Sequence, residues 1–159
     1  MNPKKEKPTQ FGENIITAIT VGFFFIVLGI IFVLTPNLFG DTVDFLQSFD
    51  LVDVPNTNII FPAPRIPQNH LTVYQAIGQF SIALSALQII VLVLRFFVSS
   101  SWSKRAENVG NFVFWIGAAF LIQTFLIDTS EWFVFLSTIL VVIGISMIVR
   151  AIVTAASRN

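Results

Sequence analysis

Catalysis needs ionisable or nucleophilic side chains held together. This 159-residue chain has one histidine, nine carboxylates and no cysteine. The missing cysteines exclude disulfides, thiolate metal sites and cysteine nucleophiles together. His70 alone cannot supply the two axial ligands of a membrane haem, or the three or four ligands of a zinc site. No nucleophile stands beside a base, and no glycine-rich phosphate loop is present. The expectation is a chain without catalytic residues, metal or cofactor of its own.

The polar residues with chemistry left to offer are neutral and sit in apolar surroundings. Gln75, Gln79, Ser81, Ser85 and Gln88 interrupt one uncharged stretch, and Gln123 with Thr124 interrupts the next. On a helical wheel Gln75, Gln79, Ala83 and Ala86 share one face. Gly78, Ser81, Ser85 and Gln88 form a second group, and Ile82 and Ile89 lie between the two. Such a half-helix can pack against neighbouring helices, because small residues let backbones approach and amides hydrogen-bond across. It can also line a path for water, an ion or a polar solute, or form a packing face for a partner.

The elements that must carry these residues follow from composition. Hydrophobic residues make up 55% of the chain and charged residues 11%, against about 25% charged in an average soluble domain. The mean hydropathy is +0.81. A soluble fold of this size could not bury so much apolar surface, so lipid is expected to be part of its solvent. Spanning backbone must satisfy its own hydrogen bonds as helices or a closed barrel. The apolar runs are continuous and about helix-span length, whereas barrel strands would alternate over about ten residues. The expected fold is an all-α membrane protein, a bundle of four transmembrane helices with a structured extracytoplasmic loop between helices 1 and 2.

The spans are expected at 15–35, 71–98, 108–127 and 132–154, with tails at 1–14 and 155–159, a polar connector at 99–107 and a turn at 128–131. Lys4, Lys5 and Lys7 lie between Pro3 and Pro8 in the first tail, which reads as non-helical. The first span reads as an uncleaved signal anchor, being longer than the usual apolar core of a signal peptide. Asp128 and Glu131 have the spacing of a capping box for the fourth span. Gly22 and Gly29, Gly117-Ala118-Ala119, and Gly144 with Ser146 are candidate close contacts between helices.

Within the loop 36–70, the segment 41–49 has helical amphipathicity, with Phe45, Phe49, Leu46 and Val43 on one side and Asp41 as N-cap. Pro55-Asn56-Thr57-Asn58 reads as a turn, Ile59-Ile60-Phe61 as an apolar patch, and Pro62–Pro67 as extended, polyproline-like chain. Phe45, Phe49, Ile59, Ile60 and Phe61 are the candidate docking residues for a partner. Arg65 is the expected ion-pair partner of a loop aspartate.

Orientation follows from the cations. Four spans put Lys4, Lys5, Lys7, Arg95, Lys104, Arg105, Arg150 and Arg158, eight of the nine basic residues, on one side and Arg65 alone on the other. Basic residues are retained in the cytoplasm, so both termini are expected there, in the cell membrane, with the acidic loop outside. The formal net charge is zero, which offers nothing to nucleic acid. The expected partners are the bilayer and other membrane subunits or further copies of the chain. The functional expectation is an accessory, scaffolding or assembly subunit; the alternative is a small oligomeric channel or transporter lined by the polar half of helix 2.

Overall fold

The computed structural model describes residues 6–156, with side chains described from Phe11 onward. Lys4, Lys5 and Arg158 lie outside the described residues. Four helices are long and apolar enough to cross a membrane: α1 (Glu6–Leu34), α3 (Leu71–Phe97), α4 (Trp102–Leu121, continued by a π-helical segment, Ile122–Asp128) and α5 (Trp132–Ala156). Between α1 and α3 lie α2 (Leu38–Gln47), the strands β1 (Phe49–Asp53) and β2 (Ile60–Pro64), and a 3₁₀ turn, Pro67–His70.

The first helix reaches further back than the tail assigned from its charges and prolines. It begins at Glu6, so Pro8 falls in the first turn, where a missing N–H removes no helical hydrogen bond. It stops at Leu34, before Pro36. Asn37 then adopts a left-handed conformation (φ 58°), which asparagine tolerates better than most residues. This tight joint starts α2 at Leu38, three residues before the expected N-cap. Asp41 lies inside the first turn instead, accepting a 3.0 Å hydrogen bond from Asn37 Nδ2. Gly40 makes room: a Cβ there would lie 2.7 Å from Asn37 Oδ1.

The helix ends at Gln47, and Phe49 opens a strand, so the loop is not all-α. β1 and β2 pair antiparallel, with Phe49 opposite Pro64, Leu51 opposite Pro62 and Asp53 opposite Ile60. Prolines in β2 are compatible with a two-stranded ribbon, where each strand has an unpaired edge. The hairpin closes through Val54, whose N–H donates to the Ile59 carbonyl at 2.8 Å, and Asn56 takes the positive φ of the turn. The segment expected to be polyproline-like is thus shared between a strand and a 3₁₀ turn.

Close helix packing follows chain order. α1 packs on α3, α3 on α4, and α4 on α5. α3 and α4 are therefore central, and α5 has no fully buried residue. Ile16 of α1 joins Leu84, Leu87 and Val91 of α3 in one core cluster. Val27 and Ile31 join Leu38 of α2 and Ala76 of α3 in another. α4 meets α5 where Gly110 faces the Ser146 carbonyl; a Cβ on Gly110 would lie 3.1 Å from that oxygen. Gly22, Gly29 and Gly144 have no neighbour within 4 Å of an added Cβ, so they are not the close contacts their spacing suggests.

The expected connector 99–107 is mostly helix. α3 ends in a Schellman arrangement, with Ser99 left-handed and Ser100 N–H donating to the Arg95 carbonyl at 3.1 Å. α4 begins at Trp102, and its charged first turns carry Lys104, Arg105 and Glu107 on regular helix. At the other end of α4, the capping box expected from Asp128 and Glu131 does not form. Asp128 accepts from Gln123 Nε2 instead, while Glu131 N–H donates to the Phe125 carbonyl.

Candidate functional site

α3 separates its polar residues onto two surfaces. Ser81, Ser85 and Gln88 are buried, and Asn108 of α4 donates from Nδ2 to the Gln88 carbonyl. Ser81 and Ser85 hydroxyls return to the Ile77 and Ile82 carbonyls of their own helix, at 2.8 Å and 2.7 Å. Their hydrogen bonds are therefore spent within α3, and the group packs. Asn108 escaped sequence reasoning because it stands at a span end, where polarity is ordinary; its pairing with Gln88 gives no local signal.

Gln75 and Gln79 face the other way, into an open groove between α3 and the C-terminal half of α4. Its volume is about 640 Å³. Gln123 reaches the same groove from the π-helical segment. Gly78 and Ala119 make the floor, and Ile82, Ile116, Phe120 and Ile127 complete the lining. Gly78 lies against Ile122, whose Cγ2 would stand in ordinary contact, 3.4 Å, with a Cβ at that position. Gln123 and Asp128 are five residues apart and hydrogen-bonded at 2.8 Å, the spacing a π-helix brings onto one face. The groove thus brings together three of the seven polar residues singled out in the sequence, and leaves Ser81, Ser85, Gln88 and Thr124 outside it.

The second candidate surface is the hairpin. Phe45 and Phe49 do not project outward. Their rings meet edge-on at 5.1 Å, and Phe45 also meets His70 at 5.2 Å, Tyr74 at 5.8 Å and Trp132 at 6.0 Å. His70 is buried in this aromatic cluster, which ties α2 and the base of the hairpin to α3 and α5. Ile59, Ile60 and Phe61 are exposed, by 59%, 59% and 48%, as is Leu51, by 70%. Leu51 was missed because an apolar pair, Leu51-Val52, between two aspartates reads as loop; only the strand register places Leu51 beside Pro62 and Ile60.

Arg65 holds the base of the hairpin. Its guanidinium contacts Asp50 Oδ2 at 2.7 Å through Nη2 and 2.9 Å through Nε. The Asp50 carboxyl is held below its usual range, first by the Leu51 N–H and then by Arg65. At the opposite end of the molecule, Glu13 pairs with Lys104 at 2.9 Å, and Arg105 lies over the rings of Phe96 and Trp102. Among the described residues no three His, Cys, Asp or Glu side chains converge as metal ligands.

Comparison with family models, curated proteins and solved structures gives no match.

Proposed function

We propose that this chain is a multi-pass protein of the cell membrane, with both termini cytoplasmic, that acts as an accessory or assembly subunit and docks through its hairpin. The observation that carries this reading is the contrast between the two ends of the hairpin. The base is fixed by the Phe45–Phe49–Trp132 rings and the Asp50–Arg65 pair, while beyond it the hairpin exposes Leu51 and Ile60 on one face and Phe61 on the other. Apolar side chains on a rigid support outside the spans are what a protein partner would bury. The neutral, packed interior of α3 supplies no proton relay or coupled-ion site.

The test is mild detergent extraction of the tagged full chain from its native membrane, followed by native mass spectrometry. The expected result is a stoichiometric complex with unrelated subunits, lost when Ile60 and Phe61 are both replaced by aspartate. Retention of every partner by that variant would defeat hairpin docking. A lone homo-oligomer would favour the second reading, a channel or transporter whose copies enclose the exposed Gln75 and Gln79. In that case Gln75→Leu with Gln79→Leu would abolish flux from liposomes while leaving the fold intact.

A further inference from the structure

The groove lined by Gln75, Gln79 and Gln123 places carboxamides where a bilayer offers them few partners. α3 has 27 residues and is about 40 Å long, so a hydrocarbon layer of about 30 Å leaves about 5 Å of helix beyond each edge. Gln75 lies about 6 Å along the helix from Leu71, and Gln79 about 12 Å. With α3 centred in the layer, Gln75 therefore lies at the depth of the acyl-ester linkages and Gln79 about 7 Å inside the hydrocarbon edge, in the leaflet on the hairpin side. A primary amide exposed to hydrocarbon loses its hydrogen bonds to water and gains none in return.

We propose that the groove binds an acyl lipid with an uncharged, hydroxyl-bearing head, of the diacylglycerol or glycosyl-diacylglycerol class. Gln75 and Gln79 each offer both a carbonyl acceptor and N–H donors, while Gln123, whose Nε2 already donates to Asp128, adds its carbonyl, so the matching ligand carries hydroxyl donors together with ester acceptors. A quinone has acceptors only and would leave the amide carbonyls unpaired. A phosphate is disfavoured because the lining holds no cation, and the nearest charge along the π-helical segment is the Asp128 carboxylate. Ile82, Ile116 and Phe120 offer apolar contact to the upper acyl chains, and about 640 Å³ lies within the range of small-molecule sites. The site requires membrane insertion but is independent of hairpin docking.

The test uses the full chain reconstituted in phosphatidylcholine vesicles containing traces of diacylglycerol or galactosyl-diacylglycerol, each with a photoreactive group at the upper acyl chain. Crosslinks are expected in the peptides covering 75–82 and 116–127, competed by unlabelled lipid of the same class. Gln75→Leu with Gln79→Leu should reduce them roughly tenfold, as the loss of about two neutral hydrogen bonds implies. Both substitutions match the hydrocarbon better than glutamine, and unchanged circular dichroism confirms that the fold is kept. Labelling by one probe alone identifies the head the groove selects. The proposal is overturned if labelling is spread evenly over the four spans, survives the substitutions, is matched by a phosphatidylglycerol probe, or is blocked because a second copy of the chain fills the groove.

Discussion

Gln123 donates from Nε2 to Asp128 Oδ1 across 2.8 Å, five residues further along the chain. In an α-helix residues five apart diverge; here they stack, because Ile122–Asp128 winds as a π-helix. Thr129 Oγ1 donates to the Thr124 carbonyl at 3.1 Å, also a five-residue step. The consequence is measurable as a coupling. Gln123→Ala and Asp128→Ala, made singly and together, should give an interaction energy of about 0.5–1 kcal/mol in a double-mutant cycle of thermal unfolding in detergent. Simple additivity would mean that the pair does not hold the π-helical segment.

The glycines divide into those that permit contact and those that face open space. Gly110 lets α4 meet the Ser146 carbonyl and the Arg150 side chain, with 3.1 Å and 3.2 Å left for a Cβ. Gly110→Val should push α4 from α5 and destabilise the fold by about 1–3 kcal/mol. Gly22→Ala and Gly29→Ala should be neutral or stabilising by up to about 1 kcal/mol, since alanine is the better helix former. If either alanine variant instead disrupted the native complex with its stability unchanged, that face of α1 would be identified as a partner interface.

These glycines also mark how far the sequence could be read. The four long helices are legible from continuous uncharged runs, because hydrocarbon length and backbone satisfaction leave few alternatives. Which helical face meets which neighbour is not legible: Gly22 and Gly29 share a face by spacing, yet no other side chain comes within 4 Å of a Cβ added at either. The hairpin was hidden for a local reason. Pro62 and Pro64 depress strand propensity, and the pairing of Leu51 with Pro62 depends on a contact across the turn. Likewise, Gln75, Gln79 and Gln123 can be picked out as polar residues in apolar runs, but the π-helical turn that brings Gln123 to the groove has no periodic signature in so short a segment.

Glu13 and Lys104 join the start of α1 to the start of α4 at 2.9 Å, with the Glu13 side chain only 12% exposed and that of Lys104 46%. Gly12 lets the same turn of α1 lie against Val98. Removing one partner leaves a shielded charge unmatched, which costs more than an exposed ion pair contributes. Lys104→Met, which leaves the shielded Glu13 carboxylate unmatched, should lower stability by about 1–2 kcal/mol and accelerate proteolysis in the α3–α4 joint. The double variant with Glu13→Gln should recover part of the loss, whereas equal instability of single and double variants would assign the effect to Lys104 packing alone.

Asp50 gives the loop an acid-dependent element whose sign can be worked out. Its carboxyl is held below 3.8 by the Leu51 N–H, 2.8 Å away, and by Arg65. A depressed carboxyl binds fewer protons in the folded hairpin than in the unfolded chain, so its contribution is present above the ordinary value. That contribution is lost as pH falls through the lowered one. Carbon-13 NMR of the Asp50 carboxyl in nanodiscs should show the depressed titration, together with weakening of the Arg65 N–H to Ser48 carbonyl bond at the hairpin base over the same acid range. In Arg65→Met the titration should rise only part of the way to 3.8, because the Leu51 N–H, the larger cause, remains. Full return to the ordinary value in that variant would mean that the guanidinium alone sets the shift and that the Asp50–Leu51 turn opens once Arg65 is gone.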